Sequence, residues 1–349
     1  MKVLVTGANG HVGCNTVRSL LSKGYEVHPF VRESSDMRGL QNLPGLHFHY
    51  GDVTDATSLE KAVQGCDVVI HHAAVYKYFG KSVNEIMEPS IIGTENLFKA
   101  AARASIKKII YTSSNLAIGT SMDPEKILTE QDWNNDTGLL YAQAKTKSEQ
   151  LAWQLSKQYQ ISMVTLCPSA ILGSYDYRVT PSSRIIVDMM RGIGLTINGN
   201  IGIVDVRDVA EMHVAAIEKG ADGERFVVSG RGVHLKELGK IYTTLTGRII
   251  PHLSMPRFMD IFSGFLMESI GNIIKWEPPL TSDLAKEFSH RYSNYDNSKI
   301  LSSLGVNPRP LEETVKDTIR WFLYLNIGSV NKKVRDQFAP DPSWPNIGT

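Results

Sequence analysis

Tyr141 and Lys145 stand four residues apart in Leu139-Leu140-Tyr141-Ala142-Gln143-Ala144-Lys145, a segment that reads as helix. At about 3.6 residues per turn and 1.5 Å rise per residue, both side chains project from one face. A phenol, with an ordinary pKa of about 10, is a poor proton-transfer group at neutral pH. A neighbouring ammonium favours the phenolate and brings the group toward the range where proton transfer is efficient. Upstream, Thr112-Ser113-Ser114 closes an apolar run with hydroxyls that can hydrogen-bond a substrate oxygen. Together these groups can protonate an alkoxide as it develops. The spacing alone is not specific, because tyrosine and lysine fall four apart on many surface helices.

A second chemical signal lies near the start, in Val5-Thr6-Gly7-Ala8-Asn9-Gly10-His11-Val12-Gly13. The glycines permit a tight turn and close backbone approach to a pyrophosphate, and the following helix offers free N–H groups and a positive dipole end. Its place after an apolar strand and before a helix ending at Gly24 makes it a dinucleotide-loop signal.

The elements that must position these groups alternate along the first half. Apolar runs at 3–5, 27–31, 46–50, 68–70, 109–111 and 163–166 read as strands, with helical patterns between them. Continuous apolar strands separated by helices mean a parallel sheet covered on both faces. The expected fold is α/β: a Rossmann-type doubly wound parallel sheet with a smaller C-terminal substrate-binding lobe over the carboxyl ends of the strands. Residues 1–173 are assigned to the dinucleotide-binding domain, with 201–230 returning to it, and 174–330 mainly to the lobe. Residues 331–349, with Pro340, Pro342 and Pro345, read as an extended tail.

The spacing Gly7-x-x-Gly10-x-x-Gly13 resembles the extended short-chain dehydrogenase/reductases, the NAD-dependent epimerase/dehydratase family. Further matches are Gly51-Asp52-Val53, His72-Ala73-Ala74, Gly93-Thr94-x-Asn96-Leu97, Thr112-Ser113-Ser114, Tyr141-x-x-x-Lys145, Pro168, and Asp205-Val206-x-Asp208-Val209-Ala210. A late stretch from Asn297-Ser298-Lys299 to Leu304-Gly305 also matches, so the resemblance covers about residues 1–325. Val31-Arg32 and Glu88-Pro89-Ser90 are closest to the dihydroflavonol 4-reductase-like branch. The resemblance implies a catalytic set of Ser114, Tyr141 and Lys145, with Ser113 as the rival to Ser114. It implies cofactor contacts at Gly7, Asn9, Gly10, His11, Val12, Gly13, Asp52, Val53, Ala73, Ala74, Pro168 and Ile171, and at Tyr141 and Lys145, the lysine on the nicotinamide ribose. Asn115 and Leu116 follow Ser114 where sugar-nucleotide dehydratases carry acid/base carboxylates, which disfavours elimination. Ser90 stands where many members have Asn, a departure at a position used for proton relay.

Cofactor preference rests on the end of the second strand. NAD-binding chains carry an acid there for the ribose 2′-hydroxyl, whereas here Val31 fills the position and Arg32 follows. Arg32 suits a 2′-phosphate, with Ser34 or Ser35 adding hydroxyls, so NADP(H) is preferred; Glu33 and Asp36 leave NAD(H) open. The function expected is reduction of a ketone or aldehyde on a small, moderately apolar molecule. The alternatives are an NAD-dependent sugar-nucleotide epimerase and a non-catalytic dinucleotide sensor, and retention of Ser114, Tyr141 and Lys145 favours an enzyme. By resemblance, helices near 94–104 and 141–155 would form a homodimer interface.

Composition sets the remaining bounds. Of 349 residues 42% are hydrophobic and 21% charged, which excludes a disordered chain. Lys+Arg 37 against Asp+Glu 36 leaves +1, so no global basic field invites nucleic acid. Cys14, Cys66 and Cys167 are far apart, without a disulfide or thiolate-zinc pattern, and fit a reducing, cytoplasmic compartment. No signal peptide is visible, and the most membrane-like stretch, 258–276, is interrupted by Asp260 and Glu268. That stretch reads as an amphipathic or buried helix, more suited to lining an apolar pocket than to touching lipid. No membrane insertion is expected. His47 and His49, and His71 and His72, are expected to be buried or capping, and no metal site is assigned.

Overall fold

The computed structural model describes residues 1–74, 82–194, 197–276 and 278–345. Its strands are β1 (Lys2–Thr6), β2 (Glu26–Val31), β3 (His49–Tyr50), β4 (Val68–His71), β5 (Lys108–Thr112), β6 (Ser162–Pro168), β7 (Ala170–Leu172), β8 (Asn200–Asp205), β9 (Arg225–Val228) and β10 (Gly232–His234). Seven form one parallel sheet in the order β3-β2-β1-β4-β5-β6-β9, and β10-β8-β7 form a small second sheet. The chain leaves the main sheet at β7 and returns to it at β9.

Both faces of the main sheet are covered, which explains why its strands read as unbroken apolar runs. Val3 and Val5 enter one core and Leu4 the other; Val68 and Ile70 oppose Val69, and Val164 and Leu166 oppose Met163. The first core is closed by α1 (His11–Ser22) and α6 (Val206–Lys219), through Val17, Leu20, Val209 and Met212. The second lies under α2 (Ala56–Ala62), α3 (Val83–Arg103) and α4 (Leu140–Tyr159), which contribute Leu59, Leu97, Phe98 and Ala152.

The first core does not stop at the sheet. It continues into α5 (Pro181–Met190), α7 (Leu235–Thr246) and α11 (Leu311–Tyr324) through Ile186, Leu238, Tyr242 and Trp321. By contrast α8 (Arg257–Ile274) and α9 (Ser282–Phe288) pack on one another, and α10 (Ser298–Leu304) packs on α6 and β9. No helix among the described residues is long and apolar enough to cross a membrane.

Three expectations need correction. The strand expected over 46–50 pairs only at His49 and Tyr50, with Leu46 making one isolated bridge to Val27. It is an edge strand, so half its backbone groups face outward and regular pairing lapses early. The tail is not extended: Lys332–Phe338 forms a 3₁₀ helix, Phe338 is buried, and the Trp344 ring stands edge-on to Trp321 at 5.1 Å. Its aromatic surface is covered by folding back, and the prolines turn the chain rather than hold it straight. His47 is exposed rather than buried and stacks on His28 at 5.0 Å.

Candidate active site

The carboxyl end of β5 and the first two turns of α4 bring the candidate catalytic residues together. Ser114 caps the 3₁₀ turn Asn115–Ala117, its Oγ accepting from the Leu116 N–H at 3.1 Å. Leu116 packs with Leu139, Tyr141 and Ala142, so the serine's turn and the tyrosine's helix share one apolar cluster, against which Leu284 and Phe288 of α9 lie. One turn on, the Lys145 Nζ donates to the Thr112 carbonyl at 2.9 Å. All three side chains are buried. Burial pulls the Lys145 ammonium down to about 8, while the Glu149 carboxylate opposes that shift. At pH 7 the group is therefore still mainly a cation.

Ser113 is engaged elsewhere: its Oγ donates to Glu149 Oε2 at 2.6 Å. Ser90 is committed within its own helix, its Oγ donating to the Ile86 carbonyl at 2.9 Å. Asn115 Nδ2 donates to the Tyr295 hydroxyl at 2.9 Å, which in turn donates to the Gly119 carbonyl at 2.7 Å. Tyr76, Lys77 and Tyr78 lie outside the described residues.

Two groups around the site escape sequence reading. Glu149 is fully buried and takes Arg225 Nε at 2.7 Å and Nη2 at 3.1 Å. Its spacing of four from Lys145 puts it on the same helix face, a signal that was available. The second is a chain of imidazoles: His72 is expected from sequence to be buried or capping, but nothing there links it to His213. His213 Nδ1 donates to the Val209 carbonyl at 2.7 Å, and burial holds its pKa down to about 4. The neutral ring must then accept at Nε2 from the Thr112 hydroxyl, 2.8 Å away. That hydroxyl accepts in turn from His72 Nδ1 at 2.8 Å, and burial likewise holds His72 neutral. The His72 Nε2 lone pair is left buried, with no hydrogen-bond partner among the described residues.

The glycine loop has the geometry of an anion cradle. Gly7 has φ +65, and a Cβ there would lie 2.9 Å from the Ala73 amide nitrogen. A Cβ on Gly13 would come within 2.2 Å of the Gly7 carbonyl oxygen, so both positions exclude a side chain. Gly10 precedes α1 and no side chain caps it, so the first turn through His11, Val12 and Gly13 presents backbone N–H groups. The His11 ring is turned aside: Nε2 lies 3.1 Å from the Ser174 carbonyl oxygen and Nδ1 4.0 Å from Asp176, so only its backbone serves the loop. Asn9 Nδ2 reaches the Asp36 carbonyl at 3.4 Å.

The other expected contact residues lie at or near the carboxyl ends of strands or in the loops after them. Asp52 accepts from Thr54 N at 2.9 Å and Oγ1 at 2.8 Å, and Val53 fills the space beside Gly93. Ala73 and Ala74 follow β4, Pro168 ends β6, and Ile171 lies in β7. Arg32, just past β2, is exposed and makes no ion pair among the described residues. Asp36 is engaged by Arg38, whose Nε lies 3.0 Å from Oδ1 and Nη2 2.6 Å from Oδ2. That bond holds the Asp36 carboxyl below its usual range. The cradle, the unpartnered His72 nitrogen and the Lys145 ammonium fit a bound nicotinamide dinucleotide.

Comparison with known proteins agrees with this geometry. The family model for the NAD dependent epimerase/dehydratase family matches residues 3–229. A Synechocystis protein provisionally named dihydroflavonol 4-reductase is 31% identical over 326 residues, covering 91% of this chain and 93% of its own. Sterol demethylase protein B of Methylococcus capsulatus is 29% identical, covering 92% of this chain and 98% of its own. Among solved structures, gox2253 superposes with a TM-score of 0.82 at 28% identity, over 94% of this chain and 99% of that one.

The buried imidazoles make a prediction about acid. His71 and His213 are held down to about 3 and about 4 when folded, against 6.5 for a free imidazole. The unfolded chain therefore takes up protons first, so stability is complete above pH 6.5 and falls as the pH drops through that window. Thermal unfolding should show a midpoint flat from about pH 8 to 7 and declining from 6.5 toward 4. His213→Gln, with no proton to gain, should decline less steeply. An equal slope in both proteins would contradict neutral burial of His213.

Proposed function

Since the chain belongs to the NAD dependent epimerase/dehydratase family, in its dihydroflavonol 4-reductase-like branch, we propose that it is an NADP(H)-dependent reductase. The carbonyl reduced is a ketone or aldehyde on a small, moderately apolar molecule. Oxidoreduction with a nicotinamide cofactor follows from family membership. The carbonyl reading is supported above all by Tyr141 and Lys145 one turn apart on α4, with the half-buried Leu284 and Phe288 of α9 against the Tyr141 cluster. Those two apolar side chains suit an apolar substrate body better than a sugar ring.

When bound, the cofactor supplies the hydride. Ser114 hydrogen-bonds the carbonyl oxygen and stabilises its charge as the alkoxide forms. Tyr141 delivers the phenolic proton to that oxygen. Lys145 spends one N–H on the Thr112 carbonyl and keeps two for the nicotinamide ribose hydroxyls. Its charge also stabilises the phenolate that the transfer leaves behind. In the alcohol-oxidising direction the same groups run in reverse.

Tyr141→Phe should keep the fold and cofactor affinity while lowering turnover by about 10²-fold or more, read as NADPH oxidation over a panel of carbonyl compounds. Turnover close to wild type would remove Tyr141 from the mechanism. UDP-sugar epimerisation in the absence of carbonyl reduction would replace the reductase reading.

The NADP(H) preference is supported by the exposed Arg32 and by the capture of Asp36 by Arg38. A charge-assisted hydrogen bond contributes about 1.5–3 kcal/mol, so Arg32→Ala should weaken NADPH by about ten- to a hundredfold and leave NADH nearly unchanged. Equal weakening of both, or equal wild-type affinity for both, would refute the preference.

A homodimer through α3 and α4 belongs to the same reading, supported by the side-by-side packing of the two helices and the exposed Ile92. Light scattering should give twice the chain mass at micromolar concentration, and a monomer there would remove it.

A further inference from the structure

Helix α8 presents an apolar face that no described element covers. Phe258, Phe262, Phe265, Leu266 and Ile273 are 71%, 66%, 60%, 51% and 80% exposed. At about 100° per residue they fall within an arc of about 100°, a single stripe along the helix. The expectation that this stretch lines an apolar pocket is not met by these side chains, which point away from the protein. An exposed contiguous apolar patch on this scale marks an interaction surface.

The opposite side of α8 shows where its charges went. Asp260 is fully buried, and its Oδ2 accepts from Ser289 Oγ at 2.6 Å. Glu268 Oε2 accepts from Ser282 Oγ at 3.0 Å. Gly264 sits so close to the chain entering α9 that a Cβ would lie 2.6 Å from the Thr281 carbonyl oxygen. Both carboxylates of the helix are thus turned inward and hydrogen-bonded. Among the described residues the outward stripe carries no carboxylate, and it ends on exposed Lys275 and Trp276; Glu277 follows in sequence, outside the described residues.

We propose that α8 seats the protein on the surface of a phospholipid bilayer containing anionic lipids. Its phenylalanines and Ile273 lie at the acyl boundary, with Trp276 and Lys275 at headgroup level. The occupant follows from charge and shape. A stripe whose described residues include a cation and no outward carboxylate complements an anionic surface. Trp and Lys at the end of an apolar face are the residues whose amphipathic side chains settle at such a boundary. A stable contact with a second copy draws on about 20–30 residues a side, more than one helix stripe supplies. At 18 residues with two inward acids, α8 lies on the membrane and does not cross it.

The surface is close to the chemistry. α8 packs on α9, whose Leu284 and Phe288 lie against the Tyr141 cluster. An apolar substrate dissolved in the bilayer would therefore meet the protein one helix layer from Tyr141. That consequence rests on the reductase reading; the docking itself does not.

The test is co-sedimentation of the full chain with vesicles of phosphatidylcholine containing about one-third phosphatidylglycerol. Wild type should pellet with the vesicles, and a Phe262→Glu, Phe265→Glu, Ile273→Glu triple variant should partition about tenfold less or worse. All three positions are exposed, and unchanged circular dichroism and NADPH binding verify the fold. A second measurement needs no loss of binding. The native cysteines are buried, so Ile273→Cys can be labelled selectively with an environment-sensitive dye. Its emission should shift to the blue when vesicles are added. Wild type that stays in the supernatant at millimolar lipid, a triple variant that pellets equally, or an unshifted dye would each overturn the proposal. So would a lipid-free wild-type dimer that the triple substitution dissociates, which would assign the face to a second copy. No arm requires turnover, so failure of the reductase reading would leave the result interpretable.

Discussion

Five donors converge on the Glu149 carboxylate: Ser113 Oγ at 2.6 Å, Arg225 Nε at 2.7 Å and Nη2 at 3.1 Å, Trp153 Nε1 at 3.3 Å, and the Cys167 thiol at 3.8 Å. Arg225 continues the network, its Nη1 donating to the carbonyls of Glu130 and Asp132, both at 2.7 Å, and its guanidinium lying over Trp133. One buried ion pair therefore ties α4 to the end of β5, to β9, and to the segment that leads into α4. Such a pair adds little net stability over a well-packed apolar equivalent, yet removing one partner costs about 3–5 kcal/mol by stranding the other charge. Its value lies in position. It fixes the rotation of α4 about its axis, and that rotation aims Tyr141 and Lys145.

The same pair answers the electrostatic difficulty of the site. Burial disfavours every charge here, and it leaves His71, His72 and His213 neutral. Lys145 is equally buried but has a carboxylate one helical turn away and a carbonyl to donate to, so it remains a cation near neutral pH. Thr112 joins the two behaviours in one residue. Its carbonyl holds the ammonium, and its hydroxyl passes on to His72 the tautomer that the Val209 carbonyl sets at His213. Fixing the His72 tautomer leaves its Nε2 a bare acceptor without introducing another charge.

Local rules were enough for the parts of this protein governed by short-range constraints. The strands β1, β2 and β4 to β6 were visible because burial on two faces demands unbroken apolar runs. The glycine loop was visible because Gly7 and Gly13 meet backbone that tolerates no Cβ. The Tyr141–Lys145 pair follows from helix period. Long-range partners were not visible. Nothing near His213 in sequence points to Thr112, and only the sheet order brings them within 2.8 Å. Asp260 and Glu268 marked the α8 stretch as an amphipathic or buried helix but could not say which, or what would face its apolar stripe. The short β3 and the folded tail depend on neighbours far away in the chain, Val27 and Trp321.

The two halves of the site are held by different means, which bears on which of them can vary. The cofactor side is backbone: a glycine turn, an uncapped helix end and strand ends locked in a parallel register, all resting on a core that runs on through α5, α7 and α11. A side-chain change there has little to alter except at the rim, where Arg32 stands. On the other side, α9 is fastened to the β5–α4 region by polar contacts. Glu287 accepts from Thr137 Oγ1 at 2.6 Å and Asn134 Nδ2 at 3.2 Å, and Thr120 donates to the Glu287 carbonyl at 3.1 Å. These bonds set the position of α9 without involving Leu284 or Phe288, which face the Tyr141 cluster. Leu284 and Phe288 can therefore change while the bonds that fasten α9 stay as they are.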